Sequence, residues 1–198
     1  SDPIRKDVAL AIKTAKSAGI RVIMATGDHK ETARAIAIKV GLLRESSPEN
    51  AVLTEADLIP LTKDEFSRVV QRVSVFARLT PNMKHKIADE LQTQGNIIAM
   101  TGDGINDATA LKKADIGIAM GSIGTDVARE AADMILVDDN FATIVSAITE
   151  GRTVFHNLRN TSLFLITTNF SASFLILLSL FSGLPLPLLP LQILWVNL

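Results

Sequence analysis

The run MTGDGINDATALKKA, residues 100–114, decides how this chain folds. The apolar residues Ile97, Ile98, Ala99 and Met100 read as a buried strand that stops at two glycines, Gly102 and Gly104. Ala108, Leu111 and Ala114 then fall on one face of a helix. A strand that ends at Gly-Asp-Gly and turns into a helix is how α/β sheets place acid groups at their carboxyl edge, where ligands bind. Two carboxylates four residues apart, Asp103 and Asp107, with the Asn106 amide beside them, suit a hard cation and a phosphate better than a redox cofactor.

The same grammar extends outward from this run. Val8, Ala11, Ile12, Ala15 and Ala18 recur at helical spacing, and Gly19 closes that helix. Residues 21–25 form an apolar strand ending at Thr26-Gly27-Asp28, and a helix follows from about Glu31 to Val40, stopped by Gly41. Residues 44–62 are polar, contain Pro48 and Pro60, and read as a connection with a short strand. Helices are expected at 64–72, 81–94 and 125–132, and strands at 73–77, 116–120 and 134–137. Repeated strand–turn–helix units predict an α/β, Rossmann-like domain, its mainly parallel sheet covered by helices, over about residues 1–150.

Composition narrows the function classes. A net charge of −1 offers no basic field for nucleic acid. The absence of cysteine excludes disulfides and thiolate metal sites from this chain. Mean hydropathy is +0.29, and the apolar excess sits at one end, since no Asp, Glu, Lys or Arg follows Arg159. Residues 151–198 read as a stalk and membrane segments. From Ser162 to Ser182 the apolar stretch is long enough, at about 1.5 Å per residue, to cross a roughly 30 Å hydrocarbon core. A proline-rich turn follows, and a second span from about Leu188 is incomplete at Leu198. The chain therefore reads as a piece of a larger multi-pass membrane protein, entering the bilayer as a helical hairpin with a truncated second helix. Arg152, His156 and Arg159 flank the first span, and the positive-inside rule assigns residues 1 to about 159 to the cytoplasm.

Three segments share one chemical logic. Thr26-Gly27-Asp28 ends one strand, Thr101-Gly102-Asp103 ends another, and Lys84 lies near the start of a helix that opens at Pro81. A hydroxyl and an ammonium can bind phosphoryl oxygens while a carboxylate holds Mg2+ against developing charge.

Together and in this order these segments resemble the P-type ATPases, cation pumps built on the haloacid-dehalogenase fold. The resemblance covers nearly the whole chain. It runs from Asp2-Pro3-Ile4-Arg5 through Ala25–Asp28, Val75–Arg78 with Pro81 and Lys84, and Met100–Ala108. It continues with Met120-Gly121, Gly124–Asp126, Ala131–Asp133, Glu150–Arg152 and Gln192–Asn197. The resemblance implies ATP as substrate and Mg2+ as cofactor. Thr26, Gly27, Asp28 and Lys84 would meet the phosphoryl group, Asp103 would bind Mg2+, and Asn106 and Asp107 would arrange that site. Asp2 and Arg5 would lie at the nucleotide-facing edge. The spans would be the fifth and the start of the sixth transmembrane helices, with Asn169 and Asn197 at positions that bind the transported cation. Thr167, Thr168, Asn169, Ser171 and Ser173 independently cluster at mid-span, where polar groups mark either ion pathways or helix packing.

Departures from the family pattern shape the expectation. The family's phosphorylated aspartate, in an Asp-Lys-Thr-Gly-Thr motif, does not occur in this sequence, so the piece alone is not expected to be active. Ala172 stands where two-site calcium pumps carry a carboxylate, which favours a single-site Ca2+ pump, with Mn2+ the second choice. Thr109 replaces the family's usual proline. The expected partners are the cation, the bilayer and the remaining domains of the same polypeptide. Competing readings are a membrane-anchored phosphatase of the same fold and a non-catalytic regulatory remnant, although intact Thr26, Lys84, Asp103 and Asp107 argue against decay.

Overall fold

A computed structural model describes residues 7–185 and 187 of the chain. Asp2, Arg5, Asn197 and the expected second span from Leu188 lie outside the described residues. Backbone contacts divide the chain into two units between Ser146 and Ala147.

The first unit begins with α1 (Asp7–Ser17), which buries Ala11, Ile12 and Ala15 and carries Asp7 in its first turn and Lys16 in its last. That polarity complements the helix dipole. Gly19, at φ 77°, ends the helix in the left-handed region that glycine adopts without cost. The strand after it, β1 (Met24–Ala25), is shorter than the apolar run suggested. The Arg21 guanidinium at its approach is drawn away to the carbonyls of Val70 and Val73, at 2.7 and 2.6 Å. After α2 (Lys30–Lys39) the polar connection folds into a 3-10 turn (Glu49–Ala51), β2 (Val52–Thr54) and α3 (Glu55–Leu58). Helices α3 and α4 (Lys63–Arg72) both start at a threonine whose N–H donates to a carboxylate three residues on. These pairs are Thr54 with Asp57 at 2.8 Å and Thr62 with Glu65 at 2.9 Å. Then come β3 (Val75–Ala77), α5 (Pro81–Thr93), β4 (Ala99–Gly102) and a 3-10 turn at Ile105–Asp107. The unit continues with α6 (Ala108–Lys113), β5 (Ile116–Met120), α7 (Asp126–Ala131) and β6 (Met134–Leu136).

The strands form two three-stranded ladders, β1-β3-β2 and β4-β5-β6, and every pair is parallel. Because side chains alternate across a strand, β3 feeds two cores at once. Phe76 packs with Leu58, Phe66, Val70, Met83, Ile87 and Leu91 from α3, α4 and α5, and with Leu79 between β3 and α5. Val75 and Ala77 pack the opposite way, on Ala33 and Ala37 of α2. Helices on both faces are what a parallel sheet requires. The second ladder is sealed by Leu111 of α6 and Ala128 of α7 against Ala119.

One expectation is corrected here. The strand of the opening motif is Ala99–Gly102 rather than 97–100, and it is not a buried strand: Ala99 and Thr101 are exposed, and Met100 and Gly102 half-buried. β4 pairs only with β5 among the described residues, so one of its edges stays open. Ile98 leads into the ladder: its carbonyl accepts from Ile116 N–H at 3.1 Å, while its N–H goes to the Asp115 carboxylate at 2.8 Å.

Helix α8 (Phe141–Ser182) carries the chain out of the first unit, where its Val145 packs on Ala11 and Ala15. Beyond Arg159 it carries no charged residue, and its most apolar 18 residues have a mean hydropathy of 1.9 and are only 6% buried. Phe170 and Phe181 are 75% and 87% exposed. Such a surface is untenable in water and is that of a helix able to span a membrane. Gly183, at φ 66°, terminates the helix, and the Ser179 hydroxyl donates to the Pro185 carbonyl at 2.9 Å.

Candidate active site

Both Thr-Gly-Asp turns leave the carboxyl ends of parallel strands, β1 and β4, the edge at which open α/β sheets bind ligands. The first turn is tied to the exit of β3. Thr26 N–H donates to Phe76 O at 3.0 Å, Leu79 N–H to Thr26 O at 3.0 Å, and Arg78 N–H to Asp28 O at 2.9 Å. The Thr26 Oγ1 accepts from Asp28 N–H at 3.1 Å, so its own proton remains to be donated to a ligand oxygen. Because Leu79 stands two residues before Pro81, this ladder also anchors the start of α5, the helix that carries Lys84.

The N-terminus of α5 is braced a second time. Thr80 caps it, accepting from Met83 N–H at 3.3 Å, and Pro81 occupies the first turn, where its missing N–H is no loss. Glu55 of α3 accepts from Thr80 N–H at 2.6 Å and from its hydroxyl at 3.1 Å. Lys84 then reaches across to the second turn. Its Nζ lies 2.9 Å from Asp107 Oδ1, with the two side chains 20% and 13% exposed. This ion pair joins distant elements, whereas Arg129 pairs with Asp126 within α7.

The turn from Gly102 to Asp107 is compact for a steric reason. A Cβ on Gly102 would sit 2.5 Å from Asp107 Cβ, so the glycine is demanded by space and not by a positive φ. Asp107 Oδ2 also accepts weakly from Gly104 N–H, at 3.4 Å. Asp103 O accepts from Thr125 N–H at 3.0 Å, fixing the backbone that presents the Asp103 carboxylate. That carboxylate is exposed and has no hydrogen-bonding or ionic partner among the described residues, and the Asn106 side chain is likewise exposed.

The structure thus joins Lys84 to Asp107 directly and ties the Thr26 turn to the helix bearing Lys84. Asp107 acts on Lys84 rather than standing as an open carboxylate. Sequence reasoning missed Glu55, Thr80 and His29, and it named Arg78 and Thr125 only as motif residues without a role. Of these, only the Thr80-Pro81 pair, a capping residue followed by a proline at the first helical position, carried a local signal.

In the second unit Asn169 Nδ2 donates to Leu165 O at 2.9 Å, while Thr168 and Ser171 donate to Phe164 O and Thr167 O at 2.7 and 2.8 Å. These are contacts to the carbonyl four residues back, the habit of polar side chains in apolar helices.

Residues 1–115, more than half of the chain, match the model of the haloacid dehalogenase-like hydrolases. The chain belongs to that family. Its relatives at about 50% identity are calcium- and cation-transporting P-type ATPases. The Calcium-transporting ATPase of Bacillus subtilis (strain 168) is 50% identical over 197 residues, covering 100% of this chain. The Probable cation-transporting ATPase F of Mycobacterium tuberculosis (strain ATCC 25618 / H37Rv) is 50% identical over 198 residues, and the Calcium-transporting ATPase 1 of Schizosaccharomyces pombe is 49% identical over 201. The chain spans 22% of the length of each. Among solved structures, a zinc-transporting PIB-type ATPase in its E2.Pi state matches with a TM-score of 0.70 and 32% identity. That match covers 100% of this chain and 27% of the other. The catalytic domain of the CPx-ATPase CopB-B matches with a TM-score of 0.55 and 26% identity, over 75% and 46% of the two chains.

Proposed function

We propose that this chain is the phosphoryl-handling core and membrane entry of a P-type ATPase that couples ATP hydrolysis, through an aspartyl-phosphate, to cation transport. The observation that carries the proposal is the Lys84–Asp107 pair at 2.9 Å, which holds an ammonium at the Asp103 turn while Leu79 ties the same helix to Thr26. In this reading Thr26 donates its hydroxyl proton to a phosphoryl oxygen, and Gly27 lets the backbone approach closely. Lys84, oriented by Asp107, offers its remaining protons to the phosphoryl group, and Asn106 adds an amide. Asp28 supports the turn, its N–H on Thr26 Oγ1.

Mg2+ fits the donor set at Asp103. The ion keeps several waters and takes one or two carboxylates plus phosphate oxygens, and an exposed, unpartnered carboxylate meets that need. Among the described residues no group of three His, Asp or Glu exists to cage a metal. When bound, Mg2+ would neutralise charge on the phosphoryl oxygens. The aspartate that accepts the phosphoryl group would belong to the rest of the polypeptide. Among the described residues β1 and β4 each pair on one side only, so a strand delivering it has open hydrogen-bonding groups to join.

Asn169 on α8 would meet the transported cation. Ca2+ is favoured because two of the relatives above are named calcium-transporting ATPases, with a single site because Ala172 supplies no carboxylate. Residues up to about 159 would face the cytoplasm, in a multi-pass protein. The test is Asp103→Asn in the full-length protein. Phosphoenzyme formation from ATP with Mg2+ is expected to be abolished; unchanged formation would remove Asp103 from the site.

A further inference from the structure

Two residues beside the Thr26 turn are not used by that reading. Arg78, the first residue after β3, holds φ at 51°, a left-handed conformation unfavourable to any residue with a Cβ. Such outliers persist only where the surroundings enforce them, and they gather at functional sites. The enforcing contacts are visible. Arg78 N–H donates to Asp28 O at 2.9 Å, and Arg78 Nε donates to His29 Nδ1 at 2.9 Å.

His29 stands at the N-cap of α2, yet its side chain makes no capping bond. The imidazole is therefore not occupied by the helix it precedes, and the guanidinium is its partner instead. That contact requires an acceptor at residue 29, because a guanidinium has none to offer, and neutral imidazole protonated on Nε2 supplies one at Nδ1. Four bonds join residues 26–29 to residues 76–79: three are backbone to backbone, and the fourth is this side-chain pair. The left-handed φ couples them. Returning Arg78 to extended backbone would swing its N–H from Asp28 O and its guanidinium from His29.

We propose that His29 and Arg78 form a clasp that positions the Thr26-Gly27-Asp28 turn for the phosphoryl group, with His29 a positioning residue acting through Arg78. The proposal rests on the reading of Thr26 as a phosphoryl ligand. The clasp ties the far side of the turn, beyond Gly27, to the residues that follow β3. Small displacements of a positioning group are costly, with losses up to about a hundredfold for 1 Å.

The test uses the full-length protein and the variants His29→Phe, His29→Gln, Arg78→Gly and the double variant His29→Phe/Arg78→Gly. Glycine at 78 relaxes the backbone while deleting the guanidinium, so a purely steric role for Arg78 predicts no loss. The rate of phosphoenzyme formation at saturating ATP is expected to fall roughly tenfold in His29→Phe and in Arg78→Gly. The double variant should fall no further, and His29→Gln, which keeps an acceptor, should recover most of the rate. A wild-type rate in His29→Phe, or in Arg78→Gly, overturns the clasp. Amide hydrogen exchange at Asp28 and Arg78, whose N–H groups donate to Thr26 Oγ1 and Asp28 O, provides a readout that does not depend on phosphorylation. It is expected to quicken in His29→Phe and not in His29→Gln, and unchanged exchange also overturns the clasp. Exchange that responds in a protein forming no phosphoenzyme overturns instead the phosphoryl role of the turn.

Discussion

Gly102→Ala is the most discriminating perturbation, because ordinary propensity and local packing give it opposite signs. In an extended strand alanine normally stabilises relative to glycine, by about 0.5–1 kcal/mol. Here the added Cβ would lie 2.5 Å from Asp107 Cβ, 3.0 Å from its Cγ and 3.2 Å from its Oδ2. Carbon atoms in contact settle at about 3.5–4.0 Å, so Asp107 must retreat by roughly 1 Å. A retreat of that size stretches the 2.9 Å contact with Lys84 beyond hydrogen-bonding range. The two side chains are only 20% and 13% exposed, so water replaces the lost partner poorly. A charge-assisted bond of this kind contributes about 1.5–3 kcal/mol. The net cost, after the propensity gain, is about 1–2 kcal/mol, or a melting temperature lowered by roughly 3–8 °C for a unit of this size. Circular-dichroism melts of the chain in detergent would measure it, beside Asp107→Gly and the double variant. In the Asp107→Gly background every clashing atom is gone, and Gly102→Ala should there become neutral or stabilising. A Gly102→Ala protein that melts at or above the parent temperature, or costs that add in the double variant, would refute the reasoning.

Leu111→Ala should destabilise the first unit by about 2–5 kcal/mol in denaturant titration, since Leu111 is fully buried against Ala119 and Ala128. Acid should loosen the approach to β4. Asp115 is held below the usual carboxylate range by the Ile98 N–H and then by the Gln92 amide. That contribution is present above the unfolded carboxylate value of about 3.9 and is lost as pH falls through the lower folded value. Asp115→Asn should therefore flatten the acid limb of a stability–pH curve measured below about pH 4. Asn169→Ala in the full-length protein should weaken cation-stimulated ATPase activity while leaving phosphorylation by inorganic phosphate intact, and unmoved cation dependence would reduce Asn169 to a packing residue.

What could be read from the sequence were features whose cause is local. Gly19 and Gly41 marked helix ends because each must take a positive φ, and each does, at 77° and 76°. The apolar span from Ser162 to Ser182 was legible from hydropathy alone, and it forms the second half of α8. The Thr-Gly-Asp turns were legible because glycine and carboxylate at a strand end have few other uses. The register of β4 was not, because Ile97 and Ile98 look like strand, whereas the Ile98 N–H goes to the distant Asp115 carboxylate. Glu55 could not be connected with Thr80, 25 residues away, since nothing in a helix-starting glutamate announces its partner. The strain at Arg78 is likewise invisible in a side chain type that rarely adopts it. Division into two ladders also escaped the periodicity, which reports strands and not their pairings.

The open edges of β1 and β4 carry a practical consequence. An unpaired strand edge is a template for any extended chain that reaches it, and among the described residues two such edges lead into the Thr26 and Asp103 turns. Handled by itself, this chain should self-associate through them, and its solubility should improve when a complementary strand is supplied in trans. Splitting the polypeptide at this point and restoring it by co-expression would turn that hazard into a complementation assay.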